Sequence, residues 1–166
     1  MTTSPDNQPS LKFLLAHPAH LLALGFGSGL AKKAPGTFGT LVGFPLYFFI
    51  PKPHMLGLAV LAALFILGCY VCDKTGKNLG VPDHGAIVWD EIVAMAALLY
   101  CLPFANWQTW ISAFLLFRLF DIWKPYPISY FDTYLKNGFG VMLDDILAAA
   151  YALIVFVGVL WMSKTF

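Results

Sequence analysis

Charged residues are scarce in this sequence of 166 residues. They make up 11% of the chain, against about 25% in an average soluble domain, while hydrophobic residues make up 59%. A chain of this composition is expected to place its apolar surface in a membrane, and its length suits a single domain. The formal net charge of +1 gives no reason to expect a nucleic-acid partner.

The sequence has only three cysteines, and their spacing argues against several kinds of site. Cys69 and Cys72 form one C-x-x-C pair inside an apolar run, and Cys101 stands apart. Without a second pair, these thiols are predicted to be packing residues rather than zinc or redox groups. No cysteine has an arginine six residues later, as a cysteine-dependent phosphatase requires, and the D-x-D-x-[TV] and G-x-x-x-x-G-K-[ST] motifs are missing.

Long apolar runs are present, and they predict membrane-spanning helices. We expect spans near residues 36–50, 55–72, 86–102, 107–123 and 144–162, with a tight turn at Pro103 and Asn106 between the third and the fourth. Residues 11–30 are predicted to form an interfacial or partly inserted helix, and residues 1–10 a disordered tail. The expected fold is all-α: one multi-pass membrane domain over residues 11–166 with four to five transmembrane helices.

Basic residues predict the orientation of these spans. Eight of the ten basic residues lie on the side of the N-terminus, and all nine acidic residues lie there or in helix ends that face it. The positive-inside rule places that side in the cytoplasm. We therefore expect the functional surface to be cytoplasmic.

Two pairs of adjacent carboxylates precede apolar segments on this side. Asp90 and Glu91 begin one run, and Asp144 and Asp145 begin the last. A carboxylate within a membrane helix costs about 2.5–3.5 kcal/mol, so it normally has a partner, a metal ion or a chemical role. Complementing a helix dipole is the alternative. Hard oxygen ligands without a cysteine or histidine cluster favour magnesium, with manganese possible.

Glycines and lysines near the first span predict a phosphate site. The sequence from Gly25 to Gly43 contains six glycines and the order Lys-Lys-Ala-Pro-Gly-Thr. Backbone amides at a helix N-terminus, together with a nearby lysine, form a natural site for phosphate. We expect Lys33, Gly36 and Thr37 to contribute to it, although the glycines could instead serve close helix packing.

A charged triplet ends the fourth span. Arg118, the only arginine, is followed at three-residue intervals by Asp121 and Lys124, directly before Pro125. This spacing places the three on one helical face, which predicts phosphate-facing cations beside a metal-facing carboxylate; a structural ion pair is the alternative. Asp83 and His84, in the loop after Pro82, are assigned either to helix capping or to the site.

These interpretations give a complete set of expected site residues. The expected catalytic carboxylates are Asp90, Asp121 and Asp144. The expected metal ligands are Asp90, Glu91, Asp121, Asp144 and Asp145. The expected phosphate ligands are Lys33, Gly36, Thr37, Arg118 and Lys124.

Four blocks of the sequence resemble the phosphatidylglycerophosphatase A family. They are GSGLAKKAPGTFGTL, IVWDEIVA, FRLFDIWKPYPI and GFGVMLDDILAA, and the resemblance extends from about Leu22 to Ala150. It implies an all-helical, magnesium-dependent enzyme of the bacterial inner membrane that removes the terminal phosphate of phosphatidylglycerol phosphate. Thr40 stands where serine is expected, and Ala149 where glycine often follows the aspartate pair.

Two other classes of protein remain as alternatives. A cation transporter would also hold carboxylates in its membrane helices, but nearer mid-span and without a lysine-rich glycine loop. A different metal-dependent phospholipid-headgroup enzyme, such as a CDP-alcohol phosphotransferase, would need an aspartate-rich motif that is missing here. The expected partners are the membrane and the phospholipid substrate, with no nucleic acid; the oligomeric state cannot be predicted.

Overall fold

Every regular element in the computed structural model, which describes residues 8–103 and 105–165, is a helix. The all-α prediction is therefore confirmed for these residues. The elements are α1 (Leu11–Leu15), α2 (Pro18–Ala23), a 3₁₀ segment (Gly25–Leu30), α3 (Pro35–Phe49), α4 (His54–Leu79), α5 (Trp89–Cys101), α6 (Trp107–Trp123), α7 (Ile128–Tyr134) and α8 (Gly138–Thr165).

The central element is α5, which packs against α3, α4, α6 and α8. It is apolar around most of its circumference after the first turn, as is typical of a helix buried on all sides. Its contact with α3 is close because glycines face it: a Cβ at Gly39 would lie 2.5 Å from Val88 Cβ, and one at Gly43 would lie 2.8 Å from the Ile92 carbonyl oxygen. Small residues at such an interface let two helix backbones approach each other.

Alternating helix directions gather most of the charged residues at one end. The N-termini of α3, α5 and α8 lie at this end with the C-termini of α4 and α6. The connections from α3 to α4 and from α5 to α6 lie at the other end, where Tyr100 Oη donates a hydrogen bond to the Pro51 carbonyl oxygen at 3.2 Å. The hairpin predicted around Pro103 is confirmed: α5 ends at Cys101, and α6 begins after Asn106, whose Oδ1 accepts from Thr109 N at 2.9 Å.

Two long helices extend beyond the predicted spans. The helix α4 continues to Leu79 and ends at Gly80, whose φ of 73° closes it in the left-handed conformation. The helix α8 begins at Gly138 rather than near residue 144, because Asn137 Oδ1 caps it by accepting from Gly140 N at 2.9 Å. Asp144 and Asp145 consequently lie in the second turn of α8 and not at its entrance.

The segment before α3 differs from the single helix expected over residues 11–30. His17 ends the first helical turn and caps α2, its Nδ1 accepting from Ala19 N at 3.0 Å. Three successive positive φ angles, at Gly25, Phe26 and Gly27, then kink the chain within the first half of the 3₁₀ segment. The segment packs against the charged end of the bundle, where Val88 N donates to the Ala23 carbonyl oxygen at 2.9 Å.

The position of this segment at a membrane interface stays a prediction, as does the division into tail and domain. Residues 1–7 of the expected disordered tail lie outside the described residues. Ser10 caps α1, its Oγ accepting from Phe13 N at 3.2 Å.

Membrane association is supported by two of the described helices. His54–Leu79 and Gly138–Met162 are long and apolar enough to cross a bilayer, and only 28% of the residues in the apolar window of each are buried in the protein. A core helix of a soluble protein would be mostly buried. The apolar surface of these two helices is instead available to lipid.

Candidate metal centre and phosphate site

Three carboxylates from α5 and α8 form a cluster that we call the carboxylate trio: Asp90, Glu91 and Asp145. One oxygen of each lies within 4.8 Å of the others, and Asp90 and Asp145 are only 8% and 3% exposed. Each residue also has a buried oxygen without a hydrogen-bond partner, namely Asp90 Oδ1, Glu91 Oε2 and Asp145 Oδ2. Because buried polar atoms are nearly always paired, these three unpaired oxygens are candidates to bind a cation.

The chemistry of the trio fits a hard divalent ion. All three ligands are carboxylates, the oxygen donors that magnesium and related cations prefer, and neither sulfur nor imidazole contributes. Asp90 and Glu91 occupy the first turn of α5, where the helix dipole also favours negative charge. The preceding residue, Trp89, fixes this turn, since its Nε1 donates to the Leu64 carbonyl oxygen at 3.3 Å.

Arg118 joins the trio to α3 and α6. Its Nη1 donates to Glu91 Oε1 at 3.4 Å and to Thr40 Oγ1 at 3.3 Å, and it forms an ion pair with Asp121. Thr40 Oγ1 in turn donates to the Gly36 carbonyl oxygen at 2.8 Å. Arg118 thus pairs with carboxylates of both α5 and α6.

Lys124 makes a second group, which we call the Lys124 cluster: Lys124, Asp132 and Asp144. Lys124 Nζ lies 2.5 Å from Asp144 Oδ2 and 2.8 Å from Asp132 Oδ1. Lys124 follows the last residue of α6 and has a φ of 44°, a left-handed conformation that ends the helix before Pro125. The triplet predicted on one face of α6 is thus divided: Arg118 pairs with Asp121, whereas Lys124 turns toward α7 and α8.

The pKa values of the Lys124 cluster reflect this pairing. Burial lowers the pKa of Lys124, but the adjacent carboxylates of Asp144 and Asp132 outweigh it and raise the pKa above its ordinary value of 10.5. Burial raises the pKa of Asp132, yet the hydrogen bond and charge of Lys124, with a contribution from Lys136, bring it below its ordinary value of 3.8. With these pKa shifts, Lys124 and Asp132 are both charged at neutral pH.

The N-terminus of α3 brings Gly36 into the centre. A Cβ on Gly36 would collide with Glu91 Oε1 and lie 3.1 Å from Arg118 Nη1, so only glycine fits here without moving Glu91. The amide cradle expected at this helix end is smaller than predicted. Pro35 has no N–H group, and the amides of Thr37 and Phe38 donate to the Ala34 carbonyl oxygen at 3.0 and 3.4 Å.

Lys33 lies on the surface just before this helix end. Its side chain is exposed, and it forms no ion pair with the residues the structure describes. Thr37 is half-buried in the first turn of α3. Both residues are close in sequence to Gly36, but the structure shows neither in contact with the trio.

Asp83 and His84 lie in the loop between α4 and α5. His84 is buried, and its Nδ1 accepts from Ala86 N at 3.1 Å, so it stabilises the turn that leads into α5. Asp83 is exposed and lines the same small cleft as Asp132 and Asp144. The His84 contact lies in the turn before α5 and is not a helix cap, because α5 begins only at Trp89. Asp83 borders the Lys124 cluster.

Two polar residues of this centre are not among those expected from the sequence. Thr40 lies one helical turn after Gly36, a spacing that could have indicated a shared face. Asp132 lies eight residues after Lys124 and beyond the turn at Pro125, so no helical periodicity relates the two. Only the folded chain brings Asp132 to Lys124.

Comparison with known proteins adds an independent observation. A family model described as Phosphatidylglycerophosphatase A matches residues 21–160. A protein of that name from Haemophilus influenzae is 51% identical over 154 residues, which cover 90% of this chain and 93% of the relative. Another from Escherichia coli K12 is 41% identical over 167 residues, covering 97% and 96%. No solved structure matches the chain.

Proposed function

Because the chain belongs to the phosphatidylglycerophosphatase A family, we propose that it hydrolyses the terminal phosphomonoester of phosphatidylglycerol phosphate, giving phosphatidylglycerol and inorganic phosphate. The protein is thus a lipid phosphatase. The match includes every charged residue of the trio, the Lys124 cluster and the Arg118 ion pairs, since all of them lie within residues 21–160. The two apolar helices agree with a substrate that remains in the membrane.

The unpaired oxygens of the trio carry the next part of the proposal. Asp90, Glu91 and Asp145 would hold a magnesium ion, for which manganese could substitute. Such an ion supplies positive charge opposite the phosphoryl oxygens and makes water more acidic. The centre contains six carboxylates against the two cations Arg118 and Lys124; the carboxylates are Asp90, Glu91, Asp121, Asp132, Asp144 and Asp145. This excess of negative charge at one buried site is a second reason to expect an added cation.

Arg118 and Lys124 are the basic residues best placed to bind the phosphate. Phosphoryl transfer depends mainly on positioning and on neutralising the charge of the equatorial oxygens. Both side chains are held by carboxylates, Arg118 by Asp121 and Glu91 and Lys124 by Asp144 and Asp132. An arriving phosphate would exchange with one carboxylate at each cation, so each cation keeps an anionic partner throughout.

The remaining predicted residues keep proposed roles that follow from their positions. Asp121 and Asp144 would position the two cations and assist proton transfer, whereas Gly36 lets α3 approach Glu91. Lys33 and Thr37, at the exposed start of α3, would contact the headgroup of the substrate. Asp83 borders the Lys124 cluster and would support Asp132 in positioning Lys124.

We also propose a multi-pass topology with this end of the bundle in the cytoplasm of a bacterial inner membrane. The charged loops before α3, between α4 and α5 and between α6 and α8 all lie at this end. In a cysteine-free variant, single cysteines at Lys77 and Lys136 should react with impermeant thiol reagents only after the cytoplasmic face is opened. Labelling of either position from the periplasm of intact cells would reverse the orientation.

The reaction is tested by phosphate release in detergent. Purified protein should release inorganic phosphate from phosphatidylglycerol phosphate only when magnesium or manganese is added. Asp145→Asn should lose this activity, and the matched change Asp73→Asn, at an exposed pair with Lys77, should retain it. A cation transporter would release no phosphate in detergent. Equal activity with and without divalent ions would exclude the metal centre.

A further inference from the structure

An open apolar groove lies between the 3₁₀ segment and α3, outside the charged centre. Its volume is about 610 Å³, within the range of about 300–1,000 Å³ that is usual for small-molecule sites. Small residues of the 3₁₀ segment and the following turn, Gly27, Ser28 and Ala31, form one wall. Phe38, Leu41 and Pro45 of α3 are the main residues of the other.

The groove follows from two local features of the chain. The successive positive φ angles from Gly25 to Gly27 redirect the backbone beside α3, and Leu30 is the large side chain that this segment contributes to the groove. The α3 residues in the groove are spaced three and four apart, so they form one stripe of the helix. The opposite stripe, with Gly36, Gly39 and Gly43, packs against α5 and the trio.

One end of the groove adjoins the site. Ala31, which lines the groove, is followed by the exposed residues Lys32 and Lys33 and then by the start of α3. Gly36, the second residue of α3, lies directly against Glu91 and Arg118. The order along the surface is therefore an apolar groove, a pair of lysines and the charged centre.

We propose that this groove binds an acyl chain of the phospholipid substrate, an inference that rests on the proposed function. The substrate contains, in order, acyl chains, an anionic phosphodiester and a terminal phosphomonoester. These match the groove, the Lys32 and Lys33 pair and the Arg118 side of the trio in the same order. Charge complementarity favours an anionic phospholipid over a neutral lipid or an apolar helix, since neither of these would use the lysines.

Filling the groove should separate long-chain from short-chain substrates. For Leu41→Trp and Ala31→Phe we expect KM for dioleoyl phosphatidylglycerol phosphate to rise about tenfold, as for a pocket that loses one or two methylene contacts. The dihexanoyl lipid, whose chains are too short to fill the groove, should keep its KM. Leu115→Trp, the same change at an exposed position of α6, should alter neither value. Equal changes for both lipids, or none for either, would overturn the proposal.

A labelling experiment on the unmodified protein makes the test independent of these variants. Phosphatidylglycerol phosphate with a diazirine in the middle of one acyl chain should label peptides that contain Leu41, more than those that contain Leu115. Excess phosphatidylglycerol phosphate should suppress this labelling, whereas excess phosphatidylcholine should not. Equal labelling of the two positions, or equal suppression by both lipids, would show only surrounding lipid and would refute the substrate site.

The two proposals can fail separately. If the unmodified protein releases no phosphate from either lipid, the proposed function is wrong, whatever the labelling shows. If it hydrolyses both lipids while Leu41→Trp treats them like the unmodified protein, the function stands and the acyl-chain site is wrong.

Discussion

Asp144 and Asp145 are neighbours on α8, yet they belong to groups with opposite needs. Asp144 contacts the ammonium group of Lys124 at 2.5 Å. The same ammonium group also contacts Asp132 of α7. Asp145 faces Asp90 and Glu91, and one oxygen of each of these three residues has no partner. The Lys124 cluster contains its own cation. The trio does not.

This difference shows how a run of acidic residues can serve two purposes. A buried carboxylate is tolerated when a fixed cation and hydrogen bonds compensate its desolvation, and Lys124 does so for Asp144. The trio lacks enough such partners, so it is stable only with protons or an external cation. The first arrangement positions a basic residue, and the second leaves unpaired oxygens that could bind a metal ion.

The largest effect is expected from the trio. Asp90→Asn and Asp145→Asn should each lower kcat/KM by more than about 100-fold, because a lost ligand costs at least as much as the 10- to 100-fold typical of an outer-shell partner. A variant that keeps measurable activity should need more magnesium than the unmodified protein to reach half of its maximal rate. Phosphate release measured against magnesium concentration checks this, with Asp73→Asn as the control. An unchanged magnesium requirement would remove the residue from the metal site.

The Lys124 cluster should respond differently to the same measurement. Lys124→Ala removes a charge-assisted hydrogen bond worth about 1.5–3 kcal/mol, or roughly 10- to 150-fold in kcat/KM. Extra magnesium should not restore the loss, because the trio is intact. Recovery at high magnesium would instead show that Lys124 and the trio act as one functional unit.

A smaller, steric change should act on the trio without removing a charge. In Gly36→Ala the added methyl must displace the Glu91 carboxylate, so we expect the magnesium concentration for half-maximal activity to rise several-fold. The matched control is Gly158→Ala in α8, where a Cβ meets no atom within 4 Å, and alanine should stabilise the helix by up to about 1 kcal/mol. Equal magnesium dependence in the two variants would show that Glu91 tolerates the shift.

The smallest effect is expected from Asp132, and it should appear in the pH dependence of stability. Its pKa is lowered in the folded protein, so its contribution is present above the ordinary value of 3.8 and is lost as pH falls through the lower folded value. As pH falls from about 5 to about 2, Asp132→Asn should therefore lose less stability than the unmodified protein. Thermal unfolding in detergent at several pH values measures this difference. Parallel curves would mean that Lys124 does not stabilise the ionised form.

Apolar runs and turn residues were sufficient to predict the helical core. The hairpin at Pro103 followed from its turn residues, and the ion pair of Arg118 with Asp121 is one of the two alternatives that their three-residue spacing left open. Such predictions use only local sequence and the cost of burying a charge. They succeed because a membrane helix must pair its own backbone groups and must compensate any charge that it buries.

The division of the carboxylates could not be predicted in this way. Consecutive residues of a helix point about 100° apart, so the partners of Asp144 and Asp145 depend on the rotation of α8 and on which helix flanks each side. The pairing of Lys124 with Asp132 requires the chain to reverse after α6. The left-handed residue at Ala34, with a φ of 49°, likewise changes the amides offered by α3, and no residue preference indicates it.

If Lys124 binds phosphate as proposed, its left-handed backbone would make the ordering of the following turn depend on whether the site is occupied. This conformation costs a non-glycine residue about 1–2 kcal/mol, so the carboxylates that hold its ammonium also help to keep the end of α6 in place. If phosphate replaces Asp144 as proposed, the same restraint would pass from α8 to the substrate. Amide hydrogen exchange between Pro125 and Leu135 should then slow when phosphate and magnesium bind and quicken in Asp144→Asn. Identical exchange in all three states would mean that the turn is held by its own packing alone.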